Sequence, residues 1–330
     1  GLFNGYILLW PGDILFQYSI VGIVAFAFRR LPAKGLLIAS VVCLLLMTAR
    51  ENRDLYKQKD MIQKGELVAR LDTTKVKLTD VQKEELGAMT GMKEKSDTAA
   101  LKKEMKRNLE KSTGSYEVLY NYLSGVTAMI EFNYTYYGIW DILLFMLLGM
   151  AFFKSGVLTG QVPVKVYWAM FIGGMGLGLL LTWMRLSDIM HYKFNLFEIT
   201  KNKGIEYYEL SRTLRSIGLF GLLMLLFKSG WFNWLFKLMR PVGQMAFTNY
   251  LMQSLMGGLF FFGIGLGMMG KLQRYEIYLV AMAIWAIEIT WSHIWLRYFR
   301  FGPLEWCWRS LTYWKKQPMR KENTREVLSV

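Results

Sequence analysis

The sequence predicts an all-α fold: a polytopic transmembrane helical bundle of about seven spans plus a truncated first helix, with a charged helical extramembrane insert. Three observations predict it. Hydrophobic residues make up 53% of the 330 residues and gather into runs of roughly helix length. Charged residues concentrate between the second and third runs, and Trp and Tyr recur at the ends of the runs. A helix needs about 20 apolar residues to cross a bilayer, and aromatic rings prefer the headgroup level.

The N-terminal region is predicted to be a transmembrane part that has lost its beginning. Residues 1–10 are apolar but too few to span a bilayer. Trp10-Pro11-Gly12-Asp13 then breaks the pattern, and Asp13 suits the cap of the next helix. We therefore expect further helices ahead of Gly1.

The remaining elements follow in order along the chain. The predicted spans are residues 14–28, 35–48, 137–153, 164–184, 216–227, 244–267 and 277–296. The predicted regions are 1–49 (truncated transmembrane part), 50–115 (extracytoplasmic insert), 116–300 (transmembrane core) and 301–330 (cytoplasmic amphipathic helix and basic tail). Within the insert, Thr79 and Gln82 have the spacing of a capping box, which predicts a helix in water.

The charge distribution predicts orientation in a membrane. The net charge is +15, and the Lys and Arg residues of the short loops lie mostly on one side of the predicted spans, which is then the cytoplasmic side. This places the C-terminus in the cytoplasm of a multi-pass inner-membrane protein. The basic side faces anionic lipid, so the lipid bilayer is a predicted partner and nucleic acid is not, because the charges of the insert nearly cancel. The two cysteines have no metal-ligand spacing, so no metal site is expected.

Polar residues inside apolar spans are costly in hydrocarbon and are therefore the first candidates for a site. The 244–267 span carries Thr248, Asn249 and Gln253 as substrate-binding candidates, together with Gln244. Glu288, near mid-membrane in the last span, is a catalytic candidate. The alternative interpretation of the polar stripe is simple hydrogen bonding between helices.

Three further candidates lie elsewhere. Asp13 is a catalytic candidate, with helix capping as the alternative. Arg185 and His191 follow the 164–184 span; Arg185 can pair with Asp188 or bind substrate, and His191 can act as a general base or simply be solvated.

Two glycine patterns have structural interpretations. Gly174 and Gly178 form a GxxxG pair, which predicts close helix packing. The GxGxxG pattern of the dinucleotide motif is matched by Gly265-Leu266-Gly267-Met268-Met269-Gly270. We reject a dinucleotide site, because this segment ends an apolar span and no strand precedes it.

Two longer motifs carry a family resemblance. They are Gly243-Gln244-Met245-Ala246-Phe247-Thr248-Asn249-Tyr250-Leu251-Met252-Gln253-Ser254 and Gly302-Pro303-Leu304-Glu305-Trp306-Cys307-Trp308-Arg309, with Gly12-Asp13-Ile14-Leu15 near the start. The chain resembles the YeiB-like family, known as domain of unknown function 418. The resemblance implies a bacterial inner-membrane protein, distantly similar to acyltransferases that modify envelope sugars. Some relatives carry histidine where this chain has Asn4.

From the resemblance and the polar residues together we expect an acyltransferase-like membrane protein. It has no bound cofactor, acyl-CoA is its donor, and an envelope sugar or another small molecule is its substrate. A small-molecule exporter, with Glu288 carrying a proton, is the alternative, and a scaffold without chemistry is a third.

Overall fold

The fold is described from a computed structural model, which covers residues 1–71 and 77–321. Residues 72–76 of the predicted insert and 322–330 of the predicted tail therefore lie outside the described residues. The described chain is α-helical and has no β-strand, so the predicted fold class is confirmed. The helices are α1 Leu15–Ala27, α2 Ala33–Ala69, α3 Asp80–Glu94, α4 Thr98–Ser112, α5 Tyr116–Ala128, α6 Thr135–Lys154, α7 Val164–His191, α8 Leu196–Asn202, α9 Tyr208–Ser229, α10 Asn233–Gln244, α11 Ala246–Phe261, α12 Arg274–Tyr298 and α13 Pro303–Thr312. Two short π-helical segments, Phe3–Ile7 and Met129–Tyr134, precede α1 and α6.

Five of the described helices are long and apolar enough to cross a membrane: α2, α6, α7, α9 and α12. Each contains one of the predicted spans. The other two predicted spans are shorter helices, because α1 has 13 residues and α11 has 16. At 1.5 Å per residue they measure about 20 and 24 Å, less than the ~30 Å of a bilayer core.

The shortness of α11 has a local cause at both ends. Gln244 closes α10 instead of opening α11, so it does not share a helix with Thr248. After Phe261 the chain turns at glycines, and a Cβ on Gly263 would lie 2.4 Å from the carbonyl oxygen of Thr113. Only glycine permits that approach, which ends the helix earlier than its apolar composition predicts.

The beginning of the charged insert also differs from prediction. We expected the membrane span to end near Thr48, but α2 continues without a break to Ala69. No Pro interrupts the extension, and its one glycine, Gly65, lies where a Cβ would come within 2.4 Å of Met89 Cβ on α3. Ile62 of this extension packs with Met89 of α3 and Phe197 of α8. The predicted capping box is confirmed, since Gln82 N donates to Thr79 Oγ1 and Thr79 N donates to Gln82 Oε1.

The chain divides into two compact units. Unit 1 comprises Gly1–Phe16, Leu109–Phe132 and the residues from Ser229 onward; unit 2 comprises Gln17–Asn108 and Asn133–Lys228. The core of unit 2 joins α1, α2 and α6 through buried Val21, Leu36 and Leu147. The core of unit 1 includes Leu9, Leu119, Leu123 and Phe262.

In unit 2, α7 and α9 pack with their backbones in contact. A Cβ on Gly174 would lie 2.6 Å from the backbone nitrogen of Gly218, and a Cβ on Gly178 would meet Arg215 at 2.6 Å. Ser211 Oγ donates to the Gly178 carbonyl oxygen at 3.1 Å. The close packing predicted for the GxxxG pair is therefore confirmed, with α9 as its partner.

Unit 1 contains an amphipathic helix, α10, that the apolar pattern did not reveal. It has no buried residue, and it carries Lys237 and Arg240 together with Trp234, which is 64% exposed. This composition is typical of a helix that lies along a membrane interface. The predicted helix at the C-terminal motif is present as α13, which begins at Pro303.

Candidate functional site

Unit 1 buries four carboxyl groups in its interior. Asp13 is 2% exposed, Glu131 0%, Glu288 3% and Glu305 8%. Among the described residues none of the four has a cationic side chain within 4.0 Å. Burying a carboxyl group is costly unless donors satisfy it, so these positions are the first to examine for chemistry.

Asp13 receives three hydrogen-bond donors. Asn4 Nδ2 and the backbone nitrogen of Phe16 each lie 2.9 Å from its carboxylate, and the Tyr250 hydroxyl donates to it at 3.3 Å. Tyr250 also accepts from the backbone nitrogen of Ile14 at 3.1 Å. Asp13 is therefore a helix cap through Phe16 and, at the same time, the centre of a buried polar cluster.

The polar residues of α11 face those of α12. Gln253 Nε2 donates to Glu288 Oε2 at 2.6 Å, and Asn249 Nδ2 donates to Ser292 Oγ at 3.0 Å. Asn249 and Gln253 are spaced i, i+4 on α11, and Glu288 and Ser292 are spaced i, i+4 on α12. The polar stripe of one helix therefore faces the polar stripe of the other. Within the described chain, Oε1 of Glu288 and Oδ1 of Asn249 are buried and have no hydrogen-bond partner.

A cavity of about 290 Å³ lies against the same two helix faces. Tyr250, Gln253 and Ser254 line it along one part of α11, and apolar groups line the rest. The remaining lining residues are Trp10, Gly257, Phe261, Ile277, Val280, Ala281, Ile284 and Trp285. The cavity therefore has an apolar body and one polar end, where Tyr250 contacts Asp13 and Gln253 contacts Glu288.

Thr248 has a partner that sequence reasoning did not identify. Its backbone nitrogen and hydroxyl donate to the two carboxylate oxygens of Glu305, at 2.9 and 2.5 Å. A Cβ on Gly302 would lie 2.1 Å from Glu305 Oε2. Glu305 thus caps the N-terminus of α11 from the start of α13. Because Gly302 has no side chain, it does not clash with the Glu305 carboxylate. This contact joins the two long motifs that carry the family resemblance.

We predict that Glu305→Ala lowers the free energy of unfolding by about 2–4 kcal/mol, because two buried donors of Thr248 lose a charged acceptor. The measurement is the thermal unfolding midpoint in detergent. Glu117→Ala is the control, since Glu117 is also in the first turn of a helix but is exposed. Equal midpoints for the two variants would show that the cap contributes nothing.

Glu131 belongs to this unit but was not a predicted candidate. Both of its carboxylate oxygens are buried without a hydrogen-bond partner among the described residues, and a Cβ on Gly5 would lie 2.9 Å from Oε1. Burial raises the pKa of the Glu131 carboxyl above its ordinary value, and the charge of Asp13 raises it further. Because Glu131 precedes the apolar run of α6, a search limited to polar residues inside spans passes over it.

The remaining predicted residues lie in unit 2. Arg185 pairs with Glu206 at 3.4 Å, not with Asp188 as its spacing allowed. His191 is exposed and stacks edge-on against Tyr192, with the ring centroids 4.7 Å apart. His191 belongs to unit 2, whereas the polar residues of α11 and α12 belong to unit 1.

A charged contact between spans in unit 2 was also missed. Arg212 of α9 donates to Asp141 of α6 and to Glu209. Asp141 interrupts the predicted 137–153 span, so the rule that selected Glu288 applies equally to it. A charged pair shared by two helices is a packing contact, and we assign it no chemistry.

The described part of the chain places no group of three His, Cys, Asp or Glu side chains where they could hold a metal ion. The fold and the buried polar site together define an α-helical, polytopic membrane protein.

Comparison with known proteins gives the family. The family model described as protein of unknown function (DUF418) matches residues 152–315 of this chain. YeiB of Escherichia coli (strain K12), an uncharacterized protein, is 28% identical over 321 residues, which cover 94% of this chain and 72% of YeiB. These two matches support the assignment of the chain to the DUF418 family as a YeiB-like member, and they confirm the resemblance seen in the motifs.

Two other relatives match shorter segments. Uncharacterized protein YxaH of Bacillus subtilis (strain 168) is 49% identical over 81 residues, 24% of this chain and 20% of YxaH. An uncharacterized 39.9 kDa protein in the amylase 3' region of Bacillus acidopullulyticus is 33% identical over 102 residues, 30% of this chain and 28% of that protein. No solved structure gives a significant match.

Proposed function

We propose that this membrane protein is an acyltransferase-like enzyme whose α11–α12 cavity holds the acyl chain of its donor. The observation that carries the proposal is the cavity itself, which has a volume of about 290 Å³ and a mainly apolar lining that includes the polar side chains of Tyr250 and Gln253. Each of them is held by a buried carboxylate, Asp13 or Glu288. Apolar pockets with a few convergent polar groups are typical of ligand sites.

Asp13 is the proposed general base, acting through Tyr250. The acceptor hydroxyl gives its proton to the Tyr250 oxygen while the Tyr250 proton passes to Asp13, 3.3 Å away. The acceptor oxygen then bonds to the acyl carbon, the carbon–sulfur bond of the thioester breaks, and the thiol leaves with the proton from Asp13. Asn4 and the Phe16 amide hold the carboxylate in place.

Gln253 is the proposed donor to the developing oxyanion. A glutamine amide has two N–H groups, and Glu288 accepts one of them at 2.6 Å. The other N–H serves the oxyanion at the polar end of the cavity. Glu288 lies one turn beyond the lining residue Ile284, so it acts in this scheme as a positioning residue and not as the base.

The donor and acceptor classes follow the family resemblance. Acyl-CoA is the proposed donor from the cytoplasm and an envelope sugar the proposed acceptor. The test is to reconstitute the protein in proteoliposomes with labelled acyl-CoA on one side and envelope sugars on the other. Label on the sugar supports acyl transfer; acyl-CoA that stays intact in the presence of the sugars contradicts it.

Export of a small molecule is the second candidate. The buried Glu288 oxygen that lacks a partner in the described chain favours it, because such a carboxyl can carry a proton across a membrane. In the same vesicles, efflux of a trapped ligand that depends on a pH gradient and stops in Glu288→Gln would support export over acyl transfer.

We further propose that the chain lies in the bacterial inner membrane with its C-terminus in the cytoplasm. The Lys and Arg bias of the short loops supports this orientation. Reporter fusions at Lys83 and at Lys315 are expected to report opposite compartments, with Lys315 in the cytoplasm. Both reporters in one compartment would contradict the orientation.

A further inference from the structure

Unit 2 contains a separate cavity of about 360 Å³ where the extension of α2 meets α7 and α8. Its walls combine charged and apolar side chains, unlike the cavity of unit 1. The lining residues are Glu51, Asp54, Leu55, Gln58, Arg185, Ile189, Leu196, Ile199, Thr200, Lys203 and Glu206. Five of them carry charge: three carboxylates and two cations.

The two cations of the cavity are already paired. Lys203 Nζ lies 2.6 Å from Glu206 Oε2, and Arg185 Nε lies 3.4 Å from Glu206 Oε1. Asn52 fixes Glu206 from the other side, because it accepts the Glu206 backbone N–H at 2.9 Å and donates to the Glu206 carbonyl oxygen at 2.8 Å. These contacts hold both cations on one wall of the cavity.

The two carboxyl groups that α2 contributes to the cavity differ in their partners. Asp54 lies 3.7 Å from Arg50 and 3.3 Å from Arg53. Glu51 accepts the backbone N–H of Glu209 at 3.3 Å, and in the described part of the chain no cation lies within ion-pair distance of it. Glu51 is therefore the carboxyl group of this cavity that has no cation within ion-pair distance in the described chain, and burial raises its pKa to about 7.

The rest of the lining is apolar. Leu55, Ile189, Leu196 and Ile199 supply hydrocarbon surface from three different helices. A ligand that fits this cavity needs an apolar body and one positive charge. An anionic ligand would be repelled by Glu51 and Asp54, and the two cations of the cavity are already paired with Glu206.

We propose that this cavity binds a small organic cation, a protonated amine on an apolar body, with Glu51 as the anchor for the ammonium group. The amine donates to the Glu51 carboxylate and its hydrocarbon packs on Leu55, Ile189 and Ile199. Binding here does not depend on acyl transfer.

The test uses cyclohexylamine as the probe and cyclohexanol as its uncharged analogue, with the purified full chain in detergent. Like the lysine side chain, the amine is protonated near neutral pH. Binding is measured by titration calorimetry on the wild type, on Glu51→Gln, and on Glu117→Gln as a control at an exposed site. Partition of the probe into detergent is the same for all three proteins and cancels in the comparison.

The expected result is saturable binding of cyclohexylamine to the wild type and to Glu117→Gln. Glu51→Gln should weaken it by about ten- to a hundredfold, the range of a charged hydrogen bond. Thr200→Trp adds a bulky side chain at another lining position, on α8, and leaves Glu51 unchanged. It should abolish binding, so it tests the proposal even if the Glu51→Gln protein does not fold. Binding of cyclohexylamine that survives Thr200→Trp, or cyclohexanol binding as tight as that of the amine, would overturn the proposal.

Discussion

Gly174→Leu is expected to destabilise the protein by more than about 4 kcal/mol or to prevent its folding. A Cβ at this position would lie 2.6 Å from both the Gly218 nitrogen and the Leu214 carbonyl oxygen. Those atoms belong to helix backbone and cannot move aside as a flexible side chain would, so α7 and α9 must separate. The hydrogen bond from Ser211 to the Gly178 carbonyl oxygen would break with them.

The measurement is the thermal midpoint and the yield of monodisperse protein in detergent. Gly176→Leu is the matched control, since it lies two residues away on α7 and a Cβ there meets no atom within 4 Å. It should keep the wild-type midpoint, whereas Gly174→Leu should fall by about 10 °C or more. Equal stability of the two variants would contradict the close packing of α7 on α9.

Asp13→Asn is expected to lower acyl transfer by about 10²- to 10⁴-fold, the usual contribution of a general base. The amide keeps the size of the carboxylate but cannot take the proton that Tyr250 passes on. Tyr250→Phe should cause a loss of similar size, since it removes the hydroxyl that joins the cavity to Asp13. The initial rate of label transfer in proteoliposomes measures both.

Asp97→Asn separates this loss from the effect of changing a capping Asp to Asn. Asp97 caps α4 by accepting the Ala100 backbone N–H at 3.0 Å, as Asp13 caps α1 through Phe16, but Asp97 is exposed. It should retain the wild-type rate. An Asp13→Asn protein that is folded and fully active would remove Asp13 from the reaction.

The sequence predicts the helices well because an apolar run can be recognised from its own composition, without information on the residues that pack against it. Five spans and the Thr79 capping box depend only on composition and local spacing. The ends of α11 could not be predicted this way. The helix stops where Gly263 approaches the Thr113 carbonyl oxygen, a contact between residues about 150 positions apart.

The site could be predicted only in part, for a similar reason. A polar residue in hydrocarbon needs a partner, and this selects Asn249, Gln253 and Glu288 from the sequence. In the structure Gln253 donates a hydrogen bond to Glu288. Glu305 was not among the predicted site residues, and the structure shows that it caps α11 through Thr248. Arg185 had an acid three residues away and instead pairs with Glu206, which the fold brings alongside.

The most direct test of the acyl site is photolabelling with a fatty acyl-CoA that carries a diazirine near the end of its chain. Label should map to the apolar lining of the α11–α12 cavity, at residues 257–261 and 277–285. Gly257→Phe should block this labelling, while Gly149→Phe, which projects from α6 into open space, should not change it. Label spread evenly over exposed span residues such as Ile172, and unaffected by Gly257→Phe, would contradict the account.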